Sequence, residues 1–243
     1  MQRPDFVDPR VASGHWRAFF DDLYPRLGEP LNVVVSANSD NRILRSAEGL
    51  QDWLSSIQYG YQCLGLHRGK KQQAHLGDGA GFVDQDGPAS VSGEVELWSA
   101  VAWWHLLRIA CRRQSYPVGN FAGDATLFEL GQANLWACSY WFQDYPRACE
   151  GAVFFAASDE DDLLGAHKII ENGYDQARDT IVRQATRVGG TISPLSGVTY
   201  TATAVYLEGY MPSGPGGINH NVPIDGRIAL LRVNVLREAV EVT

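Results

Sequence analysis

Residues 30–40 read PLNVVVSANSD, and the fold turns on this stretch. Leu31 to Ser36 is β-branched at its centre and bounded by Pro30 and Asn38, the composition of a strand. Asp40 then stands where a helix N-cap belongs. Behind it Ile43, Ala47, Leu50, Leu54 and Ile57 recur at i, i+4, i+7, i+11 and i+14, the apolar face of an amphipathic helix that Gly60 ends.

Upstream, Trp16, Phe19, Phe20 and Leu23 fall at helical spacing. A helix is expected over His15–Leu27, stopped by Gly28 and Pro30, so residues 1–29 read as an N-terminal helical extension. Downstream, YQCLGLH (61–67) suggests a second strand. LGDGAG (76–81) packs three glycines around Asp78. It lacks the Lys-Ser/Thr ending of a P-loop and the spacing of a dinucleotide fingerprint, and fits a turn held by an Asp side chain.

The C-terminal half predicts a buried strand at GAVFFAAS (151–158). Ser158 and Asp161 form a capping-box pattern that predicts a short helix over 159–168. A second helix is expected in NGYDQARDTIVRQATRVGG, with an Ala177, Ile181, Ala185, Val188 stripe and an Asp179–Arg183 pair, stopped by Gly189 and Gly190. VTYTATAVYL (198–207) and RIALLRVNVL (227–236) read as strands. Strands and helices alternate without a regular βα rhythm. The expected class is α+β: a mixed sheet of about five strands with helices packed on one side, forming a single domain over 30–243. Residues 86–142 are an irregular insert within it, holding five of the seven tryptophans and no lysine.

With 243 residues and 45% hydrophobic content, the chain can bury a sizeable core. A net charge of −8 and a pI near 5.2 exclude a phosphate-neutralising nucleic-acid surface. HRGKKQQAH (67–75) is the densest basic run and is short. Cys63, Cys111, Cys138 and Cys149 have no CxxC spacing, which argues against a zinc ribbon and leaves one or two disulfides open for an exported chain. LWSAVAWWHLLRIA (97–110) contains His105 and Arg108 and falls short of the roughly 20 apolar residues a membrane span needs. MQRPDFVDPRVASGHWRAFF carries Asp5 and Asp8 where a signal peptide would begin its apolar run, so as written the chain is expected to be cytoplasmic.

Two function classes stay open: a noncatalytic domain that binds a partner or small ligand, and a hydrolase-like or metal-dependent enzyme. His67, Asp78, His167, Asn219, His220 and Asp225 are the catalytic candidates. Without an HxxxH or HExxH spacing they read equally as separate surface and turn residues, and no metal or cofactor is expected. Asn219 and His220, in GGINH, would sit at a pocket rim behind a glycine loop. Asp175, Arg178 and Asp179 share one helix turn, as a ligand-binding group or as a surface ion-pair network. Glu160, Asp161 and Asp162 read as charges at a helix N-terminus. Ser36 and Ser158 follow strands but lie outside any GxSxG elbow.

PLNVVVSANSD, CLGLH, AHLGDGAGFVDQ, GAVFFAASDEDD, HKIIENGYDQARDTIV and PSGPGGINH together resemble a family of fungal, typically secreted, uncharacterised proteins. The resemblance covers most of 30–85 and 143–236. More remotely, GYDQARD is similar to the bacterial LssY C-terminal domain. In the family, GTC-x-ES and GGNH blocks follow LGDG-G, and this chain lacks both. Trp103-Trp104-His105 must be encoded TGG TGG CAY, which read one base later begins Gly-Gly. With permitted codons the shifted frame continues as GGTCSESLVGGNHI, and YWFQ (140–143) fits a pyrimidine run ending an intron. The resemblance therefore implies that 86–142 is mistranslated, by a frame offset plus retained intron sequence, that the natural protein is secreted, and that Cys63 has lost its disulfide partner in the GTC block.

Overall fold

The computed structural model describes residues 4–20, 27–44, 47–57, 72–75, 82–84, 130–131, 152–158, 160–161 and 168–237. In chain order the strands and helices are β1 (Arg17–Phe20), β2 (Gly28–Pro30), β3 (Val33–Val35), α1 (Asn41–Leu44), α2 (Ala47–Ser56), β4 (Gln72–His75) and β5 (Phe82–Asp84). There follow β6 (Leu130–Gly131), β7 (Val153–Phe155), β8 (Glu160–Asp161), β9 (Lys168–Ile169), α3 (Gly173–Ala185), β10 (Thr191–Ile192), β11 (Thr199–Leu207) and β12 (Ile228–Arg237).

The PLNVVV strand is the centre of the molecule, as its composition predicts. β3 runs parallel to β12, with Val34 opposite Leu230, and antiparallel to β7, with Val34 opposite Phe154. Among the described residues the main sheet has the order β10-β11-β12-β3-β7-β6. It is mixed, and the chain is α+β. β6 comes from the atypical 86–142 segment and pairs along the edge of β7.

The two faces of β3 face two different cores, since successive strand side chains point in opposite directions. Val33 and Val35, with Phe155, Ala229, Leu231, Val233 and Tyr200, pack against Leu50, Trp53, Leu54 and Ile57 of the α1–α2 region and Ala177, Ile181 and Ala185 of α3. All three described helices contribute to this face. Val34, Phe154 and Ile228 face the other way, towards Trp16, Ala18, Leu31, Ile169, Tyr174 and Ile224.

That second core corrects the N-terminal reading. Residues 17–20 form β1, paired antiparallel to β2 and β4, where a helix was expected over His15–Leu27. Trp16 and Ala18 are buried while Arg17 and Phe19 are half-buried, a period of two. The apolar spacing of this segment fits either period, and pairing with distant strands decides it. Phe6, Trp16, Phe154 and Tyr210 gather in edge-on and tilted ring contacts, centroids 5.3–6.1 Å apart.

A second correction concerns the capping box at Ser158. Glu160 and Asp161 pair antiparallel with Ile169 and Lys168, so a β8–β9 pair stands where a helix over 159–168 was expected. The expected strand at 61–67 and the glycine turn at 76–81 lie outside the described residues, although β4 and β5 on either side of the turn do pair.

Candidate functional site

Four of the six sequence candidates that the structure describes, Asp175, Arg178, Asp179 and Asp225, converge at one point, the guanidinium of Arg178. It sits on the inner side of α3, fully buried. Its Nη1 and Nη2 grip Asp225 in two-pronged fashion at 2.6 and 2.9 Å. Nη1 also reaches Asp175 at 3.1 Å and the Arg227 carbonyl at 3.0 Å, and Nε donates to Asp179 at 2.8 Å. Asp225 is placed by the turn before β12. Gly226 makes that turn with φ of +83°, and a Cβ there would lie 2.7 Å from the Met211 carbonyl oxygen. The Asp225 N–H donates to Asp175 Oδ2 at 2.9 Å, and Arg227 donates to Asp225 through its backbone N–H and its Nε. Tyr206 closes the group: its ring lies under Arg178 and Arg227, 5.3 and 4.9 Å away, and its hydroxyl donates to Asp179 at 2.9 Å.

Two of the carboxylates around this guanidinium titrate apart. Burial, reinforced by the neighbouring Asp225 and Asp179 charges and only partly offset by Arg178, pushes Asp175 up to about 6. Asp225 is also partly buried, but hydrogen bonds from Arg178 and Arg227 outweigh this and hold it at about 2. Arg178 is held more firmly protonated than a free arginine, because its carboxylate partners outweigh its burial. The described polar atoms of this group thus spend their hydrogen bonds on one another. The expected Asp179–Arg183 pair is not among them: Arg183 donates to Thr180 at 2.9 Å while Asp179 serves Arg178 and Tyr206.

The remaining candidates do not join it. Asn219 and His220 lie on a short 3-10 turn, where His220 is exposed and takes a left-handed φ of 57°. Neither makes a side-chain hydrogen bond with the Arg178 group. His67, Asp78 and His167 lie outside the described residues. Glu160 and Asp161 stand on β8 and not at a helix N-terminus. Ser36 is a support, donating to Asp5 at 2.5 Å. Among the described residues no cluster of three His, Cys, Asp or Glu is placed to hold a metal ion. No helix of the described residues is long and apolar enough to cross a membrane.

Two groups escaped sequence reading. On the helix side, buried Asp52 of α2 accepts from Tyr200 at 2.5 Å, Ser196 at 2.6 Å and Ser193, with Arg42 3.8 Å away. Burial would raise its pKa, yet the three hydroxyls and Arg42 bring it below the ordinary aspartate value. On the opposite face, a cleft of about 150 Å³ opens between the N-terminal segment and the β11–β12 ladder, lined by Asp5, Thr203, Ala204, Val205, Leu230 and Arg232. Arg232 Nε is shielded from solvent and has no hydrogen-bond partner among the described residues. Asp5 Oδ1 accepts from Ser36 and, at 3.0 Å, from Asn38 Nδ2. These bonds and the Arg232 charge outweigh the burial of Asp5 and hold its carboxyl ionised below the usual range. Thr203 and Arg232 are register partners on adjacent strands. The signal available in the sequence was a Thr and an Arg on outward positions of two predicted strands. Asp5 joins them only through folding.

No family model, curated protein or solved structure matches the chain.

Proposed function

We propose that this chain is a noncatalytic binding domain whose ligand occupies the Asp5–Arg232 cleft. The observation that carries the reading is the Arg232 guanidinium, which makes no hydrogen bond among the described residues, in a cleft that also presents an ionised carboxylate and a hydroxyl. The acidic groups that would serve an enzyme point the other way: Asp175, Asp179 and Asp225 are engaged with Arg178, leaving no free acid–base pair in that group. The test is a thermal-shift screen of small anions, cations and zwitterions on the full chain and on Arg232→Ala. Ligands that stabilise the parent and not the variant support the reading. A panel that shifts both equally sinks it.

The reading also takes the chain to be of the fungal secreted type, with 86–142 translated out of frame. The two-tryptophan codon pair supports this, because its shifted reading is fixed as Gly-Gly. Pairing of β6 with β7 does not oppose it, since main-chain groups of any non-proline sequence can extend a sheet edge. Sequencing the spliced transcript across codons 80–155 decides the matter. GTC-x-ES and GGNH blocks are expected, and a message encoding AWWHLLRIACRRQ removes the frame-shift reading.

A further inference from the structure

We infer that the Asp5–Arg232 cleft is built for a small zwitterion, an α-amino acid with a short aliphatic side chain. The inference rests on the binding-domain reading and deepens it. The cleft carries one anionic and one cationic group, and among the described residues the two make no hydrogen bond to each other. Asp5 Oδ1 is taken by Ser36 and Asn38, which fixes the carboxylate and leaves Oδ2 without a hydrogen bond among the described residues. That oxygen suits an ammonium group. Arg232, whose terminal guanidinium nitrogens make no hydrogen bond among the described residues, suits a carboxylate, for which a guanidinium offers parallel donors. Thr203, exposed beside Arg232, supplies a neutral hydroxyl that can serve either end.

Apart from Thr203, the rest of the lining is apolar: Ala204, Val205 and Leu230. Val205 and Leu230 are register partners on β11 and β12, and Val205 is 54% exposed although it lines the cleft. The volume limits the ligand, since a cavity of about 150 Å³ holds a benzene-sized body. A branched side chain of three or four carbons fits that limit. A dianion meets Asp5, and a dication meets Arg232, so each suffers a like-charge contact that a zwitterion avoids.

The experiment is calorimetric titration of the full chain with three probes. These are L-valine, N-acetylvaline (amine blocked) and valinamide (carboxylate blocked). The titrations are repeated on Arg232→Gln and on Thr203→Leu, the latter filling the cleft from an exposed position that the fold does not depend on. Measurable binding of L-valine is expected, weakened about tenfold or more by either block and by either substitution, as expected when a charged group loses its partner. N-acetylvaline or valinamide binding as tightly as L-valine overturns the zwitterion, while leaving the cleft as a binding site. Silence from all three probes also overturns it, and the wider ligand screen then judges the binding-domain reading separately. L-valine binding unchanged in both variants removes the cleft itself.

Discussion

Asn32 stands just before the valines of β3 and is buried. Its Nδ2 donates to the Ala157 and Tyr174 carbonyls at 2.8 and 2.9 Å, and its Oδ1 accepts from the Ala157 N–H at 2.9 Å. One side chain thus ties β3 to the end of β7 and to the first turn of α3. Asn32→Ala strands three buried main-chain groups, each worth about 1–3 kcal/mol. A loss of at least about 3 kcal/mol is expected from urea unfolding, and a loss under about 1 kcal/mol would mean these bonds are not made. Asp175 gives a prediction of opposite character. Its carboxyl titrates higher in the folded state than in the unfolded chain. Its contribution to stability is therefore full below about pH 4 and declines as pH rises through about 6. Asp225, depressed to about 2, contributes above about pH 4 and loses its contribution as pH falls through about 2. The cluster favours the fold most near pH 4. The Tm of the parent relative to Asp175→Asn, which cannot titrate, should fall between pH 4 and pH 7 in calorimetric scans. A constant difference would show that Asp175 titrates as an ordinary aspartate.

Elements were legible in the sequence where their pattern is local. The stripe from Ile43 to Ile57 placed α1 and α2. The Ala177, Ile181, Ala185 stripe placed α3, and the alternation in 198–207 and 227–236 placed β11 and β12. β1 was not legible, because its partner β4 lies far along the chain and local spacing suited a helix; the β8–β9 pair was hidden by a capping-box pattern that suited one too. The site divides in the same way. Asp175, Arg178 and Asp179 announced themselves as one turn of a helix. That Asp225 completes the group depends on a bond across 47 residues, invisible to periodicity. The expected Asp179–Arg183 pair failed because Asp179 has a better partner in a buried guanidinium and a phenol. This reassignment is testable within α3. Arg183→Ala should change stability by less than about 0.5 kcal/mol, as is usual for exposed positions. Arg178→Met leaves three carboxylates facing one another and should cost about 3–5 kcal/mol. Chemical denaturation of the two variants checks both, and similar losses would restore the helix-surface pair.

The whole molecule rests on one sheet serving two cores, and this changes what the N-terminus is. Read as an extension, residues 1–29 should be dispensable. In the structure Trp16 and Ala18 are buried against Val34 and Phe154, Leu31 N–H donates to the Trp16 carbonyl, and Gly28 N–H donates to the Gly217 carbonyl. Asp5 holds the loop after β3 through Ser36, Asn38 and the Ala37 N–H. Removing residues 1–20 would take Trp16 and Ala18 out of the second core and leave Val34, Phe154 and Ile228 covered only by what remains of it, Leu31, Ile169, Tyr174 and Ile224 among them. A sheet with one apolar face partly uncovered keeps its hydrogen-bond ladder but loses much of the burial that fixes its packing, about 25 cal/mol for each Å² returned to water. The truncated chain should therefore bind ANS, retain far-UV signal and lose a sharp unfolding transition, the behaviour of a compact state without fixed side chains. The parent should unfold in a single transition, because the same three strands floor both cores and neither can open alone. A truncated chain that melts as sharply as the parent, with no ANS signal, would show the second core to be an accessory to the first. The ligand cleft would then stand on a segment the fold can spare.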